Sequence, residues 1–427
     1  MTDTIAAASG ACADGSRLDG VDLHVLAGRV GTPLHVYSAS SIRQRISDLR
    51  TAVHGLDTLV CYAVKANANL AVLGLMADAG VGADIVSGGE LQRCLRAGIR
   101  ADRIVFSGVA KSAAEIEDAL TAGIGRFNVE SRDELDSLQS LAATRNVIAH
   151  AAVRVNPDVD ALTHAKISTG KSENKFGVGI DEARAWFADS ARLTHVRLDG
   201  LHVHIGSQML SLDPIRLALQ RVAAFWRELA SDGHAINSID VGGGLGVRYR
   251  EGHDRPVPVT DYAAVIREAL GGFGGRILLE PGRWLVAEAG VLLTRVLRIK
   301  QGRRRRFLIV DAGMTELLRP SLYDAWHEIV PLSCRQGAPK TYDVVGPVCE
   351  SSDTFAIDRQ QPPCEPGDLL MIKTTGAYGA TMASNYNSRP LAAEVLLDRG
   401  RYAIVRRRQT FEEMIAGEQP ARNWDST

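Results

Sequence analysis

Thr58-Leu59-Val60-Cys61-Tyr62-Ala63-Val64 is a short apolar run, Leu70 to Ala79 carries apolar residues at helical spacing and stops at Gly80, and Ala83-Asp84-Ile85-Val86-Ser87 is a second short run. A strand, a helix and a strand in that order are the repeating unit of a parallel sheet. The alternation continues outward from residue 40 to 285. Runs near 58–64, 83–87, 103–107, 126–129, 150–155, 198–205, 238–241 and 276–280 read as eight strands. Ile42 to Val53, Leu91 to Ala97 and Ile116 to Ala122 read as further helices. Ala79-Gly80, Ala97-Gly98 and Ala122-Gly123 place a glycine just past a helix, where a left-handed residue ends it. Eight repeats favour a closed (β/α)8 barrel over an open doubly wound sheet, which stands as the alternative.

After Arg283 the pattern changes. Val291 to Ile299, Phe307 to Asp311, Thr341 to Val345, Leu369 to Lys373, Glu394 to Leu397 and Tyr402 to Val405 read as strands joined by turns, which predicts an antiparallel β domain. Thr32-Pro33-Leu34-His35-Val36-Tyr37 reads as a strand able to join that sheet, behind a loose arm of about twenty residues. The expected organisation is an arm and strand over 1–39, a barrel over 40–285 and a β-rich domain over 286–427. Asn156 to Gly179 is a long loop and a functional candidate. Arg303 to Arg306 reads as a solvated turn.

The whole chain of 427 residues exceeds the usual size of one domain, and 45% apolar against 23% charged residues is a globular balance. Forty-nine basic and fifty acidic residues leave a formal charge of −1, which argues against a bulk electrostatic fit to nucleic acid or an anionic membrane. No apolar run reaches the ~18 residues of a membrane span, and no basic stretch with an apolar core opens the chain. Cys12, Cys61, Cys94, Cys334, Cys349 and Cys364 contain no CxxC pair, so neither a disulfide framework nor a metal site is expected and a reducing, cytoplasmic setting is the default.

A parallel barrel presents its chemistry at the C-terminal ends of its strands. The first run ends in Lys65, whose amine in a barrel mouth is expected to be desolvated, lowered in pKa and nucleophilic. His202 and His204, two apart, lie on one face; a ring stacked on an aromatic cofactor, a core histidine and a metal ligand are the readings, with no carboxylate at companion spacing. Gly242-Gly243-Gly244 follows a strand and offers backbone amides to a phosphate, without matching a dinucleotide fingerprint. Glu280 ends the last strand and requires a cationic partner, a protonated pyridine nitrogen or Arg283; Arg283 alternatively serves a phosphate or carboxylate. Together these residues supply an amine, a stacking ring, a phosphate cradle and an acid for a ring nitrogen, the parts a barrel needs to hold pyridoxal 5'-phosphate.

With these motifs in view the chain resembles the fold-type III pyridoxal-phosphate decarboxylases, and within them the branch acting on diaminopimelate. The resemblance runs from about Gly31 to Met414. It rests on Tyr62-Ala63-Val64-Lys65-Ala66-Asn67, Val86-Ser87-Gly88-Gly89-Glu90-Leu91, His202-Val203-His204-Ile205-Gly206-Ser207-Gln208, Glu280-Pro281-Gly282-Arg283, Asp311-Ala312-Gly313-Met314, Arg319-Pro320-Ser321-Leu322-Tyr323, Gly346-Pro347-Val348-Cys349-Glu350 and Gly376-Ala377-Tyr378-Gly379. It implies an alanine-racemase-type (β/α)8 barrel with a second, β-rich domain. It implies that Lys65 attaches the cofactor, that His204 stacks on its ring, and that Ser207, Gly243 and Gly244 lie near its phosphate. Glu280 would pair with the pyridinium, with Asp84, Gly282, Arg283 and Tyr378 also beside the cofactor. Arg283, Arg319, Tyr323, Glu350 and Tyr378 would line the substrate pocket, and Cys349 would act near Cα. Cys349 and Glu350 are expected from the second subunit of a homodimer.

Departures are small. Thr315 stands where asparagine is frequent, and Leu391 where a basic residue is common. The expected reaction converts meso-2,6-diaminopimelate to L-lysine and CO2, the last step of lysine biosynthesis. Carboxynorspermidine, ornithine or a secondary-metabolite amino acid are the alternative substrates on this scaffold. Two arginines in the pocket favour a substrate with a distal carboxylate, since an unpaired charged partner costs about 1.5–3 kcal/mol. A racemase would lack Cys349-Glu350, a small cofactor carrier would lack the β domain, and a non-catalytic homologue would have lost Lys65 or Cys349.

Overall fold

A computed structural model describes residues 16–160 and 175–421. The chain divides into two compact units. One is drawn from Met1–Ser38, Gly290–Thr375 and Met382–Thr427, the other from Ala39–Ala289 and Gly376–Thr381.

In chain order the first strands are β1 (Arg17–Leu18), β2 (Val21–Asp22) and β3 (Leu34–Ser38). β1 and β2 pair with each other, so the expectation of a loose arm through residue 20 fails over its last residues; the rest of the arm lies outside the described residues. Then come β4 (Thr58–Ala63), β5 (Gly82–Ile85), β6 (Ile104–Phe106), β7 (Arg126–Val129), β8 (Ala149–Arg154), β9 (Val196–His202), β10 (Ser238–Asp240) and β11 (Arg276–Leu279). These eight form a closed barrel, each paired in parallel with its neighbours, β11 closing on β4. The open-sheet alternative is excluded by that closure.

The helices between the strands start where the sequence offers a cap. Ser87 accepts from the Glu90 N–H, Ser131 from the Glu134 N–H, and Ser112 and Glu115 form a reciprocal capping box. They stop at Gly80, Gly98 and Gly123, with φ of 64°, 88° and 69°, the left-handed region that only glycine enters at low cost. Leu59, Cys61, Val105 and Leu278 pack together inside the barrel. A cavity of about 360 Å³ opens at the N-terminal ends of the strands, lined by Leu59, Val105, Leu278, Arg126 and Ser238 among others. Lys65, His204, Gly243, Gly244 and Glu280 lie past the other ends of their strands.

One buried ion pair, between the loop after β6 and the helix Arg132–Arg145, tests how the barrel is held. The Lys111 side chain is 1% exposed, and it donates to Glu134 Oε1 at 2.5 Å, to the Gly108 carbonyl at 2.7 Å and to the Asn128 carbonyl at 2.8 Å. Lys111→Ala strands Glu134 in a buried position and is expected to cost about 3–5 kcal/mol of unfolding free energy, read from urea denaturation. A loss under about 1 kcal/mol would show that the pair behaves as an exposed one.

The second unit continues with β12 (Gly290–Gln301), β13 (Arg306–Val310), β14 (Ile329–Pro331), β15 (Lys340–Val345), β16 (Thr354–Gln361), β17 (Leu369–Ile372), β18 (Ala393–Asp398) and β19 (Arg401–Arg406). Its sheet runs β16-β15-β13-β12-β3-β18-β19, with β17 also on β12 and β14 on β17. β3 lies between β12 and β18, antiparallel to the first and parallel to the second. β13 and β15 are also parallel, so the unit is mixed and not the antiparallel domain expected. The short hydrophobic β14 and the polar-rich β16 are strands that the sequence pattern did not show. The Arg303–Arg306 run forms the turn between β12 and β13, where Gly302 donates to the Arg305 carbonyl and Arg305 pairs with Asp343 at 2.8 Å. Cys334 is disulfide-bonded, against the expectation from cysteine spacing. Spacing in the chain does not by itself reveal which cysteine enters a disulfide. Residues 161–174 of the long loop lie outside the described residues; its ends meet, Asn156 donating to the Val178 carbonyl at 2.7 Å.

Candidate active site

Lys65 lies in a one-turn 3₁₀ segment, Val64–Ala66, directly after β4. Its Nζ is 2.8 Å from Asp84 Oδ2 at the end region of β5; the lysine side chain is 38% exposed and the aspartate 0%. Burial pulls the lysine's pKa down, but the charges of Asp84 and Glu280 outweigh it and hold the amine above its ordinary range. This corrects the expectation of a lowered pKa, because the fold sets an acid against the lysine that desolvation alone does not include. The Asp84 carboxyl is pushed up, by burial and then by the Glu280 charge, against the pull of Lys65.

Glu280 follows β11 and is 4% exposed. It accepts from Asn128 Nδ2 at 3.3 Å and Ser107 Oγ at 3.4 Å, and its Oε2 lies 3.3 Å from His202 Nε2. Burial raises its pKa, but the charge and hydrogen bond of His202 and the charge of Lys65 reverse this and leave it well below the carboxylate range. The imidazole of His204 sits one strand-turn further on and takes the Gly243 N–H on Nδ1 at 3.2 Å. Burial, then the Arg154 and Lys65 charges, lower its pKa to about 3, so the ring is neutral near pH 7.

The glycine turn after β10 has no room for side chains. A Cβ on Gly243 would lie 2.2 Å from the Glu280 carbonyl oxygen, and one on Gly244 (φ 104°) 2.1 Å from Met209 Cε. Bare backbone of this kind is what a bound phosphate requires. Gly282 is packed the same way, 3.0 Å from Ala63 Cβ if given a Cβ of its own. Arg283 donates to Tyr249 Oη at 2.5 Å and Ser207 Oγ at 3.2 Å, and lies 4.7 Å over the Tyr378 ring. The Tyr378 N–H donates to the Ala66 carbonyl at 2.8 Å, next to Lys65. Lys65, Asp84, His204, Ser207, Gly243, Gly244, Glu280, Gly282, Arg283 and Tyr378 all belong to the barrel unit and are tied by these contacts at one end of it.

The remaining expected residues belong to the other unit. Arg319 opens the short helix Arg319–Tyr323, is buried, and has Nη1 2.7 Å from His327 Nε2. Tyr323 ends that helix, half-buried. Cys349 and Glu350 are exposed, the Cys349 N–H donating to Asn387 Oδ1 at 2.8 Å and Tyr386 Oη to Glu350 at 3.4 Å.

Sequence reasoning missed Ser107, Asn128, Tyr249 and Asp240. A serine after Ile104-Val105-Phe106 and an asparagine inside Phe127-Asn128-Val129 are polar residues at apolar strand ends, a signal present in the sequence. It also missed that two carboxylates reach His202. The donor atoms of His202, Asp240 and Glu280 lie within 4.8 Å of one another, brought together by three adjacent strands.

Residues 39–287 match the family model for the pyridoxal-dependent decarboxylase, pyridoxal binding domain. The chain is 49% identical over 400 residues to a diaminopimelate decarboxylase of Pseudomonas aeruginosa, covering 94% of this chain and 96% of that one. It is 44% identical over 407 residues to that of Zymomonas mobilis, with 94% and 96% covered. Among solved structures it resembles diaminopimelate decarboxylase from Helicobacter pylori complexed with L-lysine, with a TM-score of 0.89 at 45% identity, covering 92% of this chain and 98% of that one. A lysine/ornithine decarboxylase from Vibrio vulnificus, TM-score 0.78 at 23% identity over 88% of this chain and 98% of that one, shares the fold.

Proposed function

This chain belongs to the pyridoxal-dependent decarboxylases, and we propose that it removes one carboxyl group from meso-2,6-diaminopimelate to give L-lysine and CO2. The observation that carries the reading is the joint placement of an amine, a neutral imidazole, a bare glycine turn and an ionised carboxylate at one end of the barrel. L-Lysine, bound in the H. pylori relative, is what remains when diaminopimelate loses one carboxyl group.

The residues present fit pyridoxal 5'-phosphate. Lys65 Nζ would hold its aldehyde carbon, Ser207 with the Gly243–Gly244 turn its phosphate, His204 its ring face, and Glu280 its pyridine nitrogen. When bound, the group supplies a sink for the electron pair left as CO2 departs. Lys65 is held as an ammonium by Asp84, so it must lose a proton to act as a nucleophile. Asp84 Oδ2, at 2.8 Å, is the nearby acceptor, and its raised pKa suits it to take that proton. Glu280 keeps its negative charge through three hydrogen-bond partners, which favours a protonated ring nitrogen over a neutral one. His204 carries no charge near pH 7, so it would pack a ring face without competing for that proton.

At the distal end of the substrate, Arg319 and Arg283 would meet the carboxylate, Tyr323 would add a hydrogen bond and Glu350 would meet the ammonium. Cys349 would return a proton to Cα. Exposure of Cys349 and Glu350 on their own unit suits delivery to a second copy of the chain, so the working form would be a homodimer with shared sites. Among the described residues no helix is long and apolar enough to cross a membrane.

The test is CO2 release from meso-diaminopimelate beside ornithine, lysine and arginine at equal concentration. The expected preference for diaminopimelate is about 10²-fold or more, from two poorly paired arginines at about 1.5–3 kcal/mol each in the other complexes. Equal or faster release from ornithine would contradict the substrate assignment and leave the family intact.

A further inference from the structure

Three neighbouring strands bring one titratable side chain each to one cluster, with their ligand atoms within 4.8 Å of one another. His202 ends β9, Asp240 ends β10 and pairs in register with it, and Glu280 follows β11. Their exposures are 1%, 0% and 4%. His202 Nε2 meets Glu280 Oε2 at 3.3 Å. Asp240 Oδ1 accepts the Gly242 N–H at 2.9 Å, while Asp240 Oδ2 is fully buried with no donor among the described residues. An ionised Asp240 would leave that oxygen unpaired beside another carboxylate, an arrangement costing the desolvation of a charge. A proton on Oδ2 removes the defect, since it turns the oxygen into a donor toward Glu280.

Charge balance gives the same answer. Asp84, Asp240 and Glu280 are three buried carboxylates in one cluster, with the Lys65 amine set against Asp84 and the His202 imidazole against Glu280. Two close carboxylates cannot both ionise at low cost. Burial first, then the Glu280 charge and hydrogen bond, push Asp240 well above its ordinary range while Glu280 is held down. The groups facing Asp240 are Cys61 of β4, Asp84 of β5, His202, Glu280 and Tyr262 of the helix Val259–Leu270.

We propose that Asp240 is a positioning residue: a neutral carboxylic acid that donates a hydrogen bond to Glu280 and so fixes Glu280 as the charged partner for the cofactor ring. It deepens the functional reading above, because it rests on Glu280 serving the pyridine nitrogen. The same protein segment, Ile239-Asp240-Val241-Gly242-Gly243-Gly244, then couples the ring's acid to the phosphate turn, with two residues between Asp240 and Gly243.

The test uses the full chain with Asp240→Asn, Asp240→Val and Glu280→Gln. Asparagine keeps the shape and an N–H donor toward Glu280; valine keeps bulk and loses the donor. Infrared difference spectra, recorded near pH 7 before and after cofactor loading, are expected to show a protonated carboxylic-acid stretch in wild type that is lost in D240N. With cofactor, D240N is expected to keep kcat within about threefold, and D240V to lose about 10–100-fold as outer partners of a charged group do. D240V is also expected to shift the pH titration of the cofactor absorbance, which D240N leaves in place. A stretch retained in D240N and lost in E280Q, D240V matching wild type in both readouts, or a divalent cation recovered stoichiometrically with the protein would overturn the proposal. Failure of the broader reading shows separately, as E280Q leaving the cofactor absorbance and its titration unchanged.

Discussion

Lys65→Ala is expected to lower CO2 release by roughly 10⁴-fold or more, as removal of a group acting in concert with the rest of a site does. The size of the effect follows from position. Lys65 is the amine set against the buried acid Asp84, and both lie at the barrel end that holds Glu280 and the glycine turn. The variant is also expected to fold. Asp84 loses its counter-ion, but its carboxyl is already pushed up by burial and by Glu280, so it can take a proton in place of standing as an unpaired charge. Unchanged far-ultraviolet dichroism with lost turnover and a lost absorbance band of the lysine-attached cofactor is the combined result expected. A K65A protein turning over at full rate would remove lysine from the chemistry.

Mixing Lys65→Ala chains with Cys349→Ala chains is expected to restore activity from near zero to about a quarter of wild type. That figure follows from symmetry. Equal exchange makes half of the dimers mixed, and a mixed dimer with sites shared across a two-fold axis has one site with both residues intact. The physical basis is that Cys349 and Glu350 are exposed on the β unit, the Cys349 backbone N–H held by Asn387, while Lys65 sits in the barrel unit. No recovery, with chain exchange confirmed by tagged subunits, would place Lys65 and Cys349 of one chain in the same site.

The barrel was legible because each of its strands is a short apolar run with a helical pattern and a terminator beside it, and all eight runs coincide with paired strands. Local pattern suffices where neighbours in the chain are neighbours in space. The β unit shows the opposite case. β3 joins a sheet whose other strands begin some 250 residues later, and parallel pairing with β18 depends on no local signal. β16, Thr354-Phe355-Ala356-Ile357-Asp358-Arg359-Gln360-Gln361, mixes polar and apolar residues across two bulges, so its alternation is broken.

The site divides in the same way. Lys65, His204, Gly243 and Glu280 stand at ends of apolar runs, and that placement marked them. What the pattern could not show is which groups face each other. The pKa of Lys65 was misjudged because its direction depends on Asp84, nineteen residues away and on the next strand. Asp240 carries no mark in the pattern, because its importance lies in two carboxylates meeting across strands β10 and β11 and not in its own spacing.

The central claim is that an aldehyde cofactor is held by the amine of Lys65. Borohydride reduction of the loaded protein, followed by proteolysis and mass spectrometry, reads this directly. The account predicts one pyridoxyl group per chain, on the peptide containing Tyr62-Ala63-Val64-Lys65-Ala66-Asn67, with no label in K65A. A stoichiometric pyridoxyl group on another lysine, such as Lys111 or Lys373, with Lys65 unmodified, would contradict it.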